Sequence, residues 1–404
     1  MKTVAVVGGG ASGMMAALTA AGQAENRILL FERQQRVGRK LAVTGNGRCN
    51  LTNTLSREDR YHGENREFPA FALDAFPPEE ELRFFSSLGL LTTEEYGGRV
   101  YPRSDSANSV VDVLRFACES RGVELLTSCE LERITRSGAG FSLYAAEKEY
   151  FADRVIIACG GAAGSRQGGG MSGYELLKSL GHGRTALRPA LAQITVDSDY
   201  PKALKGIRAD AALTLLCGGR TVAESRGELQ FTEKGLSGPA GFDLARSVGQ
   251  LGDAKKEISA DFFAGLEEQT LTDMLVKRSG EWRGHDCSEL FAGMLHNRLG
   301  AMIVKYAGLD RTKPITELSR KEAERAVRAA KAFRFPVRGT EGFESAQVTA
   351  GGMRTEEFNP RTMESRLVPG LYACGEVLDV DGDCGGFNLR WAWASGRLAG
   401  RLGE

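Results

Sequence analysis

The segment 8-GGGASG-13 lies between an apolar, β-branched run, 3-TVAVVG-8, and a helix-like run, 14-MMAALTAAG-22. Glycines at 8, 10 and 13 in that setting can hold a diphosphate on backbone N–H groups. Gly8 permits a tight turn, Gly10 lets the backbone approach a pyrophosphate, and Gly13 lets the helix pack closely on the strand. Ala11 and Ser12 open that helix, where unpaired N–H groups and the positive end of the dipole receive phosphate. The next strand-like run, 27-RILLFER-33, ends in Glu32 and Arg33. A carboxylate at Glu32 accepts hydrogen bonds from a ribose diol and repels a 2′-phosphate. The alternative is a glycine turn that only packs.

A second chemistry-bearing stretch lies at the other end of the chain: 371-LYACGE-376 followed by 381-DGDCGGFNLRWAWASG-396. A strand ending at Gly375 and Glu376 offers a carboxylate to a ribityl chain, with Asp381 just beyond. Gly385 and Gly386 precede a helix expected from Asn388, and their N–H groups suit an electron-rich ligand edge. A flavin has such an edge at N1/C2=O, where negative charge collects on reduction. Non-covalent FAD therefore fits both ends of the chain, whereas NAD alone fits the first.

Between them, 44-TGNGRCNLTN-53 is poor material for a strand or an ordinary helix. The motifs GGGASG, GRKLAVTGNGRCNLTN, ELQFTEKGLSGP, VTAGGM and GEVLDVDGDCGGFNLRWAWASGRLAG, in order over nearly the whole chain, closely resemble bacterial BaiN-type flavoproteins, which include aminoacetone-oxidase-like enzymes. That resemblance implies an FAD-dependent oxidoreductase, often NAD(P)H-linked, with substrates ranging from amines to bile-acid-like enones. It places the loop carrying Lys40, Leu41, Gly47, Arg48, Cys49 and Asn50 beneath the pyrophosphate and beside the isoalloxazine. Lys40 and Arg48 would meet phosphate or the flavin edge. Gly45 and Gly47 would turn the backbone, and Asn46 and Asn50 would satisfy its amides. By the same resemblance Leu131 meets adenine through its backbone, and Ala158, Cys159 and Gly160 approach the adenosine. Gly386, Phe387, Asn388 and Leu389 meet the flavin ring.

No catalytic residue is assigned, and three stand as candidates. Cys49 is a redox thiol, with Cys384 as a conceivable partner, or a buried packing residue. Thr349, in 349-TAGG-352, is on the substrate side of the flavin or in a re-entry turn. Arg390, where the resembling proteins often carry Gln, tunes flavin charge, binds a carboxylate or faces solvent. His62, His182, His285 and His296 fall outside the flavin motifs, which gives no support to histidine acid–base catalysis. No Ser-His-Asp arrangement is legible.

The elements needed to position these residues can be read from texture. Helical patterns cover 68–90 and 106–121 around the turn-rich 97-GGRVYPRSD-105. Strands fill 123–157, a helix spans 171–181, and short alternating strands begin near 190. Residues 265–332 are helical, and 320-RKEAERAVRAAKAFRF-335 reads as a solvated helix of alternating charge. In 235-GLSGP-239, Ser237 reads as a helix cap before Pro239. The α/β texture resumes before a last helix at 388–402. The expected fold is α/β: a Rossmann-type FAD-binding domain (1–190 and 346–404) interrupted by an inserted antiparallel β, barrel-like domain (191–262 and 333–345) and a small helical domain (263–332).

Composition bounds the rest. The 404 residues are 42% apolar and 26% charged, with 52 basic and 52 acidic side chains, which argues against a nucleic-acid partner. Eight scattered cysteines and four histidines form no metal spacing, so no metal is expected, and dispersed thiols suit the cytoplasm. Glycines break the apolar N-terminus where a signal peptide would not, and no run suits a membrane span. The expected function is a flavin reduced by NAD(P)H or an organic substrate, passing hydride to a small molecule or oxygen. NAD(P)H would dock transiently over the flavin, without a Rossmann domain of its own. The alternatives are an RNA-modifying flavoprotein and a non-enzymatic flavin-binding interaction protein.

Overall fold

The apolar runs at the two ends of the chain meet in one sheet. In a computed structural model describing residues 1–23, 26–55 and 58–403, Glu124–Leu126, Asn26–Phe31, Lys2–Val7, Arg154–Ile157 and Leu371–Ala373 lie side by side in that order. All four pairings are parallel. Val4 to Val7, Ile28 to Phe31 and Val155 to Ile157 are buried at consecutive positions, as strands covered on both faces must be. The first strand sits at the centre. The carboxyl ends of this sheet therefore bring together Gly8, Glu32, Ala158 and Cys374, where open α/β sheets bind ligands.

The helix Ala11–Ala21 packs on the C-terminal helix Phe387–Gly400 through very close backbone approaches. A Cβ on Gly396 would lie 2.4 Å from the Ser12 carbonyl oxygen, and one on Gly400 would lie 2.5 Å from that of Ala16. Only glycine at those positions lets the two helices approach this far. Neither helix carries an acidic side chain in its first turn, so both positive dipole ends are left uncompensated.

Three small antiparallel sheets also lie in this unit, which comprises Met1–Pro189 and Phe343–Glu404. Leu131–Ser137, Gly140–Ala145 and Lys148–Ala152 form the first. In the second, Arg99–Pro102 lies between Thr52–Asn53 and Thr92–Glu95. The third pairs Tyr61–His62 with Asp381–Gly382. The expectation of a turn over 97–105 thus holds only at its ends, because Val100 and Pro102 alternate inward and support a strand. The pattern at 68–90 divides into Ala70–Ala75 and Pro78–Ser87, broken at Pro77 and Pro78, since a residue before proline is pushed out of helical geometry.

The second unit, Ala190–Gly342, is built on a closed antiparallel barrel. Its strands, in order, are Ile194–Val196, Gly235–Ser237, Arg220–Phe231, Arg208–Cys217, Lys256–Asp261 and Phe333–Thr340. Helices Glu268–Glu281, Asn297–Tyr306 and Arg320–Lys331 lie in the segment between the last two strands. The charged helix at 320 is not solvated all round: Ala323, Ala326, Val327 and Ala330 are buried, and Ser319 and Glu322 close a capping box at its start. Ser237 makes no side-chain cap; it ends a strand, and the helix starts at Gly238. Among the described residues no helix is long and apolar enough to cross a membrane.

Candidate FAD site

The first turn is fixed by contacts that leave its outer side free. Gly8 adopts φ +109° and donates its N–H to the Phe31 carbonyl at 2.8 Å. A Cβ on Gly13 would fall 1.8 Å from the Gly8 carbonyl oxygen, whereas one on Gly10 would meet nothing within 4 Å. Ala11 follows Gly10 at the helix start. Ser12 is buried, with its hydroxyl against the position a Gly375 side chain would fill. Glu32 accepts from the Gly9 N–H at 2.9 Å and the Gln34 N–H at 2.7 Å, one bond on each carboxylate oxygen. Each oxygen keeps a lone-pair site for a diol.

The other charged residues read from sequence are largely spent on the protein itself. Arg33 donates to the carbonyls of Gly168 (2.6 Å) and Gly169 (3.0 Å) and lies 3.5 Å from Glu130. Arg48 stacks over Tyr101 at 4.2 Å and pairs with Glu95 at 2.6 Å and with Asp105. It fastens the 44–53 loop to neighbouring segments, and its guanidinium is neutralised twice. Lys40 Nζ pairs with Glu376 Oε2 at 2.8 Å, and Glu376 Oε1 accepts the Thr349 N–H at 2.9 Å. Glu376 thus joins three segments distant in sequence.

The 44–53 loop carries the densest backbone strain in the chain. Gly45, Asn46, Gly47 and Cys49 all have positive φ, at 56°, 57°, 86° and 62°. Non-glycine residues in that region are uncommon and concentrate where surrounding structure enforces them, often at functional sites. Leu41 anchors one side of the loop in the core. On the other side, in the amide orientation that satisfies both groups, Asn50 accepts from the Gly386 N–H and donates to the Thr52 carbonyl, each at 3.2 Å. Gly386 (φ 102°) caps the C-terminal helix, which begins at Phe387, one residue earlier than expected. Asn388 clamps the preceding loop by donating to the Gly382 carbonyl at 2.7 Å and accepting its N–H at 2.8 Å. Phe387 packs edge-on against Tyr61 at 6.0 Å, Leu389 is half-buried, and Asp381 is buried beside His62 in the short strand pair.

On the adenosine side, Leu131 is buried at the start of its strand, and Cys129 next to it donates its N–H to the Glu32 carbonyl at 2.9 Å. Ala158 donates its N–H to the Val7 carbonyl at 2.8 Å. Cys159 turns its thiol toward the same carbonyl at 3.4 Å, and burial pushes that thiol up to about 12. A Cβ on Gly160 would meet nothing within 4 Å, while one on Gly161 would strike Glu376 Oε1 at 2.4 Å. Two residues past the C-terminal strand Leu371–Ala373 lies Gly375, whose N–H is held by Ser395 Oγ at 2.9 Å and whose carbonyl is held by Trp391 Nε1 at 3.1 Å.

The three candidates for chemistry fare differently. Cys49 is fully buried, with its thiol pushed up to about 12 by burial, so it is a neutral thiol at physiological pH. None of the eight cysteines forms a disulfide. Thr349 is buried, and its hydroxyl accepts the Ala163 N–H at 2.9 Å, a positioning bond and not a re-entry turn in solvent. Arg390 does not face solvent: it is 1% exposed and donates to the Leu73 carbonyl at 3.2 Å. Its Nε and Nη1 have no partner, and neither has Oε1 of the fully buried Glu81. The sequence reading missed Glu81, because a carboxylate in 78-PEEELRFF-85 looks like any first-turn helix acid. It also set His62 aside, and that residue lies beside the DGDCGG segment, its Nε2 2.6 Å from Asp383 Oδ1. Two-residue strands carry no periodicity that could have announced the pairing.

The sequence profile described as the HI0933-like protein Rossmann domain matches residues 2–402. The chain belongs to this family. It is 38% identical to the 3-dehydro-bile acid delta(4,6)-reductase of Clostridium scindens, with 99% of this chain and 98% of the relative aligned. It is 29% identical to the ribosomal RNA dihydrouridine synthase of Escherichia coli over 96% of this chain and 95% of that one. Among solved structures, the 3-ketosteroid delta1-dehydrogenase of Sterolibacterium denitrificans, in complex with 1,4-androstadiene-3,17-dione, shares the fold at 12% identity. There 99% of each chain is covered, at a TM-score of 0.50. The family is one of FAD-dependent oxidoreductases, and FAD is its cofactor.

The glycines of this family member test whether FAD fits. Gly13, Gly161 and Gly375 are closed by protein atoms, whereas Gly10, Gly47 and Gly160 are open. The open glycines fall one each in the dinucleotide turn, the strained loop and the segment after strand Arg154–Ile157. That division is the one a bound dinucleotide requires: closed positions for packing, open positions where its backbone approach must be unobstructed. The residues fit the group.

Proposed function

We propose that the protein is a reductase of a carbon–carbon double bond conjugated to a carbonyl in a small apolar substrate, with a reduced nicotinamide as electron donor. The observation that carries this reading is the 38% identity, over nearly the full length of both chains, to a bile-acid delta(4,6)-reductase. The second relative's name describes the same class of step, since dihydrouridine is uridine with two hydrogens added across a double bond conjugated to a carbonyl.

Bound FAD would supply two-electron transfer. Glu32 would take the ribose diol, and the N-terminus of Ala11–Ala21 the pyrophosphate. Lys40 would bring a positive charge near that group while Glu376 holds it in place. The N-terminus of Phe387–Gly400 would favour the negative charge that collects on the reduced cofactor, so reduction is made easier by backbone dipoles already in place. Gly10, Gly47 and Gly160 would keep the approach clear, and Thr349 would fix the Glu376 carboxylate through its backbone N–H. A nicotinamide would bind transiently, because the second G-x-G-x-x-G spacing, at Gly168, Gly170 and Gly173, follows the 3-10 turn Ser165–Gln167 and not a strand.

The test is product mass. Incubation under argon with NADH or NADPH and 1,4-androstadiene-3,17-dione should raise the steroid mass by two hydrogens, and an unchanged steroid with consumed nicotinamide would refute the reading. A second reading, reduction of uridine in RNA, is favoured by the 29% relative. Appearance of dihydrouridine in unmodified ribosomal RNA under the same conditions, with the steroid untouched, would establish it instead.

A further inference from the structure

The short strand pair beside the C-terminal helix builds a histidine–carboxylate dyad that none of the glycine motifs contains. His62 stands in register with Asp381, and Tyr61 with Gly382. His62 Nε2 lies 2.6 Å from Asp383 Oδ1, and Asp383 Oδ2 lies 3.1 Å from Arg60 Nη1. Asp383 is fixed from its backbone too: its N–H donates to the Arg60 carbonyl at 3.0 Å, and its carbonyl accepts from Asn388 Nδ2 at 3.4 Å. A carboxylate held from these directions dictates the imidazole tautomer, with hydrogen on Nε2. Nδ1 then has no partner among the described residues, and the imidazole side chain keeps 24% of its surface exposed. The dyad sits in the segment that leads directly to Gly386 and the helix start.

We propose that His62, oriented by Asp383, is the acid that completes double-bond reduction at this site. This rests on the reductase reading above. The substrate's π bond breaks and two C–H bonds form. One carbon receives a hydride, whose two electrons come from a reduced nicotinamide by way of the flavin. The neighbouring carbon receives the proton of His62 Nδ1–H, and the imidazole is reprotonated from solvent. The charge balances: the imidazolium loses one positive charge, the reduced flavin gives up the one negative charge that leaves with the hydride, and the substrate, gaining hydride and proton together, keeps its charge. The paired carboxylate holds the ring in place for the transfer, and a positioned acid of this kind contributes about 10²–10⁴-fold.

The charged groups on the elements around His62 are Asp381 and Asp383 on the paired segment, Arg60 and Glu64 on its own, and Asp379, whose carboxylate accepts the Glu64 N–H at 3.0 Å.

The experiment compares wild type, His62→Asn and Asp383→Asn as FAD-loaded proteins, each reduced anaerobically and then reoxidised in a stopped-flow instrument. Two oxidants are used: 1,4-androstadiene-3,17-dione, which needs a proton, and ferricyanide, which takes electrons alone. His62→Asn should be reoxidised by ferricyanide as a folded flavoprotein is, and by the dienone at least 100-fold more slowly than wild type. Added imidazole should restore part of that rate. In ¹⁵N-histidine spectra of the loaded wild type, His62 should carry hydrogen on Nε2 in its neutral form, and Asp383→Asn should erase that preference. Dienone reoxidation of His62→Asn within threefold of wild type, or a neutral His62 with hydrogen on Nδ1, overturns the proposal. A wild type reoxidised by ferricyanide but never by the dienone overturns the reductase reading, and this proposal with it.

Discussion

Glu32 and Glu376 hold the two halves of the site from opposite sides, and each is itself held. Both oxygens of Glu32 accept a backbone N–H, so replacing it with alanine removes a diol acceptor and orphans two donors at once. Glu32→Ala should therefore weaken FAD binding by at least tenfold in a flavin-fluorescence titration, and unchanged affinity would remove Glu32 from the site. Cys49 behaves in the opposite way. It is a neutral, fully buried thiol held at φ 62°, so its contribution is volume in a strained loop. Cys49→Ser should keep flavin reduction by a reduced nicotinamide within threefold of wild type, read by stopped-flow bleaching. A loss of a hundredfold or more would restore the thiol as a redox partner. At this scale the sequence was most legible where a backbone constraint is local. The spacing Gly8, Gly10, Gly13 and Glu32 states its own geometry. Arg48 and Arg390 were less legible, because a cation's role is set by what faces it: Glu95 and Asp105 for one, the Leu73 carbonyl and the buried Glu81 for the other.

The first helix shows how one element divides packing from binding. Gly13 cannot take a Cβ without striking the Gly8 carbonyl at 1.8 Å, whereas Gly10 has open space. Gly13→Ala should lower the melting temperature of the flavin-free protein by several degrees, the usual size for ~1–2 kcal/mol in a chain of this length. Gly10→Ala should leave that temperature within about a degree and instead raise the Kd for FAD. Equal thermal shifts for the two would contradict the assignment of open and closed glycines. The turn at 181–183 carries an acid-sensitive pin. His182 Nδ1 lies 2.8 Å from Glu357 Oε2, its Nε2 lies 2.9 Å from Ser365 Oγ, and its ring stacks on Phe358 at 4.6 Å. Burial holds the His182 imidazole below its ordinary value despite the Glu357 carboxylate. The folded state thus resists protonation more than the unfolded chain does. Its stabilisation is present above the ordinary histidine range and is lost as pH falls through the lowered value. The urea-midpoint gap between wild type and His182→Gln should narrow from pH 7.5 to 5.5, and a constant gap would refute the linkage. Elements with strong local signatures, such as Lys2–Val7 and Arg208–Cys217, were legible as strands. Thr52–Asn53 and Tyr61–His62 were not, because two residues cannot display a period of two.

Across the whole molecule, one unit carries the dinucleotide turn while the other is a closed barrel with attached helices. The barrel unit leaves and re-enters through neighbouring backbone: Glu341 donates its N–H to the Gln193 carbonyl at 2.9 Å. We propose that this unit is an insertion whose removal spares cofactor binding. A chain in which residues 194–340 are replaced by a short Gly-Ser linker should retain FAD at near one equivalent, and loss of all flavin would contradict it. The α/β class and the barrel-like insertion were readable from the change of texture near residue 190. The pairing order was not, since which apolar run neighbours which is decided by tertiary contacts between segments as distant as Ile157 and Ala373. The measurement that bears most directly on the account is an anaerobic absorbance cycle of the purified protein in one cuvette. Flavin bands should be present, bleach on adding NADH or NADPH, and return on adding the dienone. Bands that bleach and do not return would contradict the reductase reading, and a protein that neither carries FAD nor takes it up would contradict the site itself.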